Sequence, residues 1–409
     1  MDVGAPRIDS RRVIADLREL DRRTGGPAGA RRLCWSEEWR QARAFLAELL
    51  DEIGLEPERD EAGNVWAYLP GEEEPALALG SHLDSVPAGG WLDGALGVMA
   101  GLGVLRAWAN ADRRPSRTLA LVDWADEEGA RFGRSLFGSS AFSGTLRPGE
   151  LGGLRDADGR PIAEVLAENG IDLDRVAGAT QRQGRIGSYL ELHIEQGPVL
   201  EAEGLSVAAV SGCVGVERLR LAFRGQASHA GTTPMNARRD AGLAAAAAAL
   251  AIEAIPDREG GVATTGELRL QPGIPTAVAG RATLSVDLRH ADAAALGGML
   301  AAARAAGDQA AREHRCEVET ESVWRIEPTP FDPDLVTAAR RVCRDSVGDE
   351  RELTSGALHD AAEVARVRPA AMLFVPSIGG LSHAPQEDTS EKDLAAGTET
   401  LGALAGSLL

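Results

Sequence analysis

Short apolar runs alternate with stretches of helical periodicity along most of this chain, and that alternation constrains the fold more than any other feature. Val65–Leu69, Ala76–Leu79 and Thr118–Trp124 read as short buried strands, the first two bounded by Gly and Pro. Before Gly54 the chain reads as helical, with Ile14, Leu17 and Leu20, then Ala44, Phe45, Leu46, Leu49 and Leu50 at helical spacing. Leu96–Trp108 is a further helix, and Ala371–Pro376 is one more core strand. Strands interleaved with helices predict an α/β domain with a mostly parallel sheet.

Between about Val214 and Ile326 the pattern changes. Glu217–Phe223 alternates at period two, Ala237–Ile255 is an Ala-rich helix, and Leu268–Leu270 continues a second strand. Arg281–Arg289 alternates again, Ala293–His314 is a second Ala-rich helix, and Cys316–Trp324 closes the series. Ala has the best helix propensity, so the two Ala runs are helices and not low-complexity linkers. The order β-α-β-β-α-β is that of a ferredoxin-like unit, which predicts a domain at residues 214–327 inserted into a catalytic domain formed by residues 1–213 and 328–409.

Composition narrows the function classes. The chain's 43 Lys and Arg against 62 Asp and Glu leave a net charge of −19, which repels nucleic-acid phosphate and anionic lipid. Cys34, Cys213, Cys316 and Cys343 are scattered without Cys-x-x-Cys spacing, so neither a disulfide framework nor a thiolate zinc site is indicated, and a reducing cytoplasm is expected. Met1–Arg12 has no apolar core, and no apolar run reaches the roughly 18 residues of a membrane span, so neither secretion nor membrane insertion is expected.

Against this background the placement of His and carboxylate residues is informative. His82 follows the run Ala76–Leu79, at a strand's C-terminal end, where α/β sheets place their sites. Asp93 lies in a Gly-rich loop that opens a helix, where alone it would be a helix cap. Asp123, Asp126, Glu127 and Glu128 follow another strand; such a charge run is ordinarily a solvated face, but carboxylates crowded at a strand end are costly unless a cation neutralises them. His193 and His383 follow or end two further strand-like runs. Nitrogen and carboxylate donors without thiolate suit a pair of borderline divalent ions, and a second Glu beside a ligand Glu supplies a general base that the metal does not consume.

The blocks GSHLDSVPAGGWLDGALGV (80–98), DEEGARFG (126–133), HIEQGP (193–198), ASHAGTTPMNARRDA (227–241), the DLR ending at Arg289, and FVPSIGGLSHAPQE (374–387) resemble those of the dinuclear-metal amidohydrolases. That family includes N-carbamoyl-L-amino-acid amidohydrolase, allantoate amidohydrolase and β-ureidopropionase, and is related to the aminoacylase and carboxypeptidase-type metallopeptidases. The resemblance implies two divalent ions per chain, zinc or manganese, with His82 and His193 on one, Glu128 and His383 on the other, and Asp93 bridging. It implies Glu127 as general base and Asp84 as the partner that orients His82. It implies His229 as a histidine of a mobile inserted domain that binds substrate and stabilises the oxyanion, often across a homodimer interface. Gln196 matches a substrate-contacting position, and Arg289 matches the arginine that grips a substrate carboxylate. His290 and His314 match nothing and read as surface residues.

Two departures bear on specificity. Thr276 stands where relatives carry an asparagine that helps hold the carboxylate, and Leu358 where they usually carry glycine. The expected function is hydrolysis of a linear carbamoyl or ureido C–N bond in a small anionic substrate. Allantoate, an N-carbamoyl-β-amino acid and an N-acyl amino acid stand as alternative substrates. A catalytically silent binding relative is the alternative of another class; the retention of every ligand and of the base counts against it.

Overall fold

The computed structural model describes residues 5–409, which form two compact units: one running up to Gly212 and resuming at Pro330–Leu409, the other Cys213–Thr329. The larger begins with α1 (Ser10–Thr24) and α2 (Glu37–Asp51), capped by the Asp9 and Ser36 side chains, which accept from the N–H groups of Arg12 and Trp39. A two-residue antiparallel pairing, Gly25–Gly26 with Gly29–Ala30, interrupts the helical stretch between them. Then follow β1 (Glu58–Arg59), β2 (Val65–Leu69), β3 (Glu73–His82), α3 (Ala95–Ala109), β4 (Arg117–Trp124), β5 (Ile186–Ile194) and β6 (Ala208–Cys213).

The smaller unit comprises β7 (Gly215–Arg224), α4 (Ala241–Glu253), β8 (Val262–Gln271), β9 (Arg281–His290), α5 (Ala293–Glu313) and β10 (Glu317–Ile326). Its sheet has the order β8-β9-β7-β10 with every neighbouring pair antiparallel. Leu219, Leu221, Phe223, Leu284, Val286 and Leu288 form one cluster with Ala244, Ala245, Ala248, Met299 and Ala303, so the small alanines let both helices sit close on one sheet face. Strand β8 runs well beyond Leu268–Leu270. It is an edge strand, exposed along nearly its whole length, and therefore carries no buried-exposed alternation to mark its extent.

The chain returns to the larger unit through β11 (Thr329–Pro330), α6 (Pro333–Val347), β12 (Glu352–Ser355), α7 (Asp360–Ala365), β13 (Ala370–Val375) and α8 (Glu391–Ser407). Its sheet has the order β11-β6-β13-β5-β3-β4-β2-β1, with β12 on β6. The centre, β13-β5-β3-β4, is parallel, while β6 and β2 add antiparallel to its two sides. Leu77, Leu79, Leu119, Leu121, Leu190, Leu192 and Leu373 share a cluster with Leu17, Leu102, Leu105, Leu335, Leu401 and Leu404 of the flanking helices. The strand period is two, so the alternate positions Tyr189, Glu191 and His193 turn to the opposite face.

Register then decides where the chemistry collects. His82 pairs with Trp124 on β4, and His193 with Phe374 on β13, so the parallel strands end in line. Every segment that carries a site residue of the larger unit therefore ends or begins at one sheet edge, the C-terminal edge of the parallel strands, where α/β sheets leave a crevice.

Candidate metal centre

Local structure holds each side chain before any ion is considered. Gly94, with φ of 66°, turns the chain from the Asp93 loop into α3, and a side chain there would run into the His82 ring. The Asp84 carboxylate accepts the N–H groups of Glu127 and Glu128 at 3.2 and 3.1 Å, fixing the turn after β4, while Asp126 bends that turn with φ of 56°. His383 sits in the loop after β13, also with a positive φ of 55°.

These elements bring the six predicted residues together. His82 and His193 place Nε2 at 3.6 and 3.3 Å from Asp93 Oδ1. His383 Nε2 lies 3.4 Å from Asp93 Oδ2 and 3.3 Å from Glu128 Oε2. Asp93 thus belongs to two groups of metal-capable side chains, one with His82 and His193 and one with Glu128 and His383. Glu127 Oε2 stands 3.6 Å from His82 Nε2. The Nδ1 atoms of His82 and His193 lie 3.1 and 2.9 Å from the carbonyl oxygens of Asp84 and Ile194. A carbonyl oxygen accepts and never donates, so both Nδ1 atoms carry the proton, and it is Asp84's main chain, more than its carboxylate at 3.6 Å, that orients His82.

The donor set fits divalent ions. Each Nε2 is left presenting a lone pair toward an Asp93 oxygen that is itself an acceptor, with the Gly94 N–H donating at 3.3 Å to that of His193, and a proton or a cation between nitrogen and oxygen relieves the contact. Without a cation the protons are drawn in. Burial lowers the His82 and His193 pKa values, but the surrounding carboxylates outweigh it and raise both, and the hydrogen bond to Asp93 lifts His383 to about 9. Burial, with Asp93 beside it, pushes Glu128 up to about 7, and Glu128 Oε1 is buried without a hydrogen-bond partner. Burial also holds Glu127 well above the carboxylate range, with Asp360, Glu128 and Asp84 adding to it against the pull of His82. Two ions would replace those protons with charge held by nitrogen and oxygen donors alone.

Gln196 lies at the same centre, its Nε2 donating to Asp93 Oδ2 at 2.7 Å and to Ser382 Oγ at 3.3 Å. Leu358 is half-buried beside His359. In the smaller unit, His229 pairs with Ala277, and the Ala230 N–H donates to the Thr276 carbonyl, which brings Thr276 beside the histidine. His229 Nδ1 accepts the N–H groups of Gly231 and Thr232, so its proton is on Nε2. Arg289 Nε is engaged by Asp287 at 2.8 Å.

Buried groups beside the centre were not distinguished by the motifs. Glu191 accepts from Ser81 Oγ, Tyr189 Oη and the Ala361 N–H, and its ligand atoms lie within 4.8 Å of those of His193 and His359. The His359 ring stands edge-on to His193 at 4.5 Å, its Nε2 bonded to Ser355 Oγ. Glu191 is two residues before His193 and so shares its strand face, a signal present in the sequence; His359 has none except its place beside Leu358.

The sign of these shifts gives a test. A carboxyl or imidazole whose folded pKa is raised contributes stability that is complete below its unfolded value and lost as pH rises through the folded one. For Glu128 that loss runs from 4.5 to about 7, and for His383 from 6.5 to about 9. The metal-free protein should therefore melt at lower temperature as pH rises, and added Mn²⁺ should raise the melting temperature far more near about pH 8 than near about pH 5. Equal stabilisation at both would contradict the centre.

The sequence signature of peptidase family M20/M25/M40 matches residues 78–407. An N-carbamoyl-L-amino acid amidohydrolase of Geobacillus stearothermophilus is 36% identical over 391 residues, 95% of each chain. An allantoate amidohydrolase of Escherichia coli (strain K12) is 35% identical over 386 residues, 92% of each chain. Among solved structures, an amidase of the hydantoinase/carbamoylase family from Burkholderia multivorans superposes with a TM-score of 0.90 at 32% identity, covering 98% of both chains. With a family signature across most of its length and relatives alike from end to end, the chain belongs to peptidase family M20/M25/M40.

Proposed function

We propose that this chain is an amidohydrolase that cleaves a linear carbamoyl or ureido C–N bond of a small anionic substrate at a centre of two divalent ions, zinc or manganese. The observation that carries the reading is the single carboxylate, Asp93, shared by two groups of nitrogen and oxygen donors, with Glu127 beside them and not needed as a ligand. His82 and His193 would hold one ion, Glu128 and His383 the other, with Asp93 contributing to both. When bound, the ions acidify water and polarise a carbonyl oxygen. Glu127, as a carboxylate that no ion needs for a ligand, removes a proton from the attacking water and returns it to the leaving nitrogen as the C–N bond breaks. The carbamic acid formed from a carbamoyl substrate falls apart to ammonia and carbon dioxide.

The names of the relatives support a carbamoyl or ureido substrate. Gln196 and Leu358 border the substrate, while His229, Arg289 and Thr276 of the smaller unit act on its anionic end and on the oxyanion. A threonine hydroxyl cannot supply both the donor and the acceptor of an asparagine amide at the same reach, so Thr276 shifts preference away from ordinary N-carbamoyl-L-amino acids. Cys34, Cys316 and Cys343 form no disulfide, which fits a reducing cytoplasm, and no helix among the described residues is long and apolar enough to cross a membrane. The smaller unit joins two copies into a homodimer and moves as a lid. The exposed edge of β8, with Val262, Leu268 and Leu270, and the exposed Leu243 and Leu250 of α4 support that reading.

Ammonia release from carbamoyl amino acids, allantoate and N-acyl amino acids tests the substrate class: a carbamoyl or ureido compound should be cleaved, and turnover of N-acyl compounds alone would overturn it. Glu127→Gln should lower turnover by about 10²- to 10⁴-fold while both ions stay bound; near-normal turnover would place the base elsewhere. Light scattering should give the mass of two chains, and a monomer at every concentration would contradict the dimer.

A further inference from the structure

The loop that carries His383 has an attachment that the chemistry above does not use. His383 is half exposed, its side chain 49% accessible, and its backbone is in the left-handed region, so neither packing nor local preference holds it in place. Four residues on, Glu387 is buried. Its Oε1 accepts the N–H groups of Leu92 and Asp93 at 3.1 and 3.0 Å, and its Oε2 accepts the Ser382 hydroxyl at 3.1 Å. Ser382 Oγ also lies 2.9 Å from Asp93 Oδ2. A side chain at Gly90 would run into the Glu387 carboxyl, so the Asp93 loop is shaped around this group. Next to it, Asp388 Oδ1 accepts from Trp91 Nε1 at 3.2 Å, a second tie between the same two loops.

We propose that Glu387 is a positioning residue: by clamping the Leu92–Asp93 main chain to Ser382, it sets the separation at which His383 and Asp93 share an ion. This inference rests on the two-ion reading. Asp93 and His383 come from segments far apart in the chain, and two ligands can hold one ion only when their spacing is fixed beforehand. His82 and His193 end adjacent elements of the sheet and take their spacing from strand register, so among the ligands of their ion only Asp93 is tied to this clamp.

Mn²⁺ titration of the metal-free full chain tests the proposal. Glu387→Ala should weaken the Mn²⁺ whose binding His383→Ala removes by roughly 10- to 100-fold, and the other clearly less. Glu387→Gln, which keeps an oxygen for the Leu92 and Asp93 N–H groups, should recover a large part of that loss. In a His383→Ala background, Glu387→Ala should cost the remaining ion little, because the residue acts through a ligand already removed. Equal weakening of both ions, or the same loss with and without His383, would show a general structural role and overturn the proposal. So would unchanged affinity at both sites. Where Glu387→Ala fails to fold, Ser382→Ala, which cuts one end of the clamp, must show a smaller loss at the same ion. Failure of the wild-type chain to bind two Mn²⁺ would instead remove the two-ion reading itself.

Discussion

Asp93 gathers three histidines whose facing nitrogens cannot all be left without a proton or an ion, though Gln196 and Ser382 also donate to its Oδ2. Its two oxygens face the Nε2 atoms of three histidines, two of which are fixed as acceptors because their Nδ1 protons are committed to main-chain carbonyls. In a buried site, acceptors facing acceptors at this range repel unless positive charge lies between them. The rest of the larger unit can be read as the scaffold for that arrangement: strand register aligns His82 and His193, Gly94 lets the Asp93 loop close against His82, and Asp84 pins the turn that presents Glu127 and Glu128.

The same arrangement separates two kinds of carboxylate. Glu128 and Asp93 each meet a histidine nitrogen at 3.3 Å, whereas Glu127 stands 3.6 Å from His82 Nε2 with further acids, Asp84 and Asp360 among them, around it. Those acids raise the proton affinity of Glu127 while His82 lowers it, and a base that is not a ligand keeps its oxygens free for the proton it takes. Adjacent residues on one turn thus acquire different chemistry from their surroundings and not from their sequence positions.

Much of this was legible in the sequence, and where it was not the reason is physical. The buried strands Arg117–Trp124 and Ala370–Val375 announce themselves because parallel and central strands are apolar on both faces, and the Ala-rich helices because their composition suits nothing else so well. The edge strand Val262–Gln271 shows little signal because exposed positions need no pattern. The His and carboxylate fragments, each weak alone, read as a centre when taken in order with the family resemblance. Glu191, though it shares the strand face of His193, was not distinguished by the motifs, and neither were His359 and Glu387. Their roles come from contacts with residues distant in sequence, such as Ser81, His193 and Leu92, which only the folded chain brings near.

The central claim is that one carboxylate is shared by two ions. Elemental analysis of the purified chain, loaded with Mn²⁺ or Zn²⁺ and freed of excess, measures this directly. Close to two ions per chain are expected for the wild type, falling to one or none in Asp93→Ala with the fold intact by circular dichroism. A wild-type chain that saturates at one ion, or an Asp93→Ala chain that keeps two, would contradict the account.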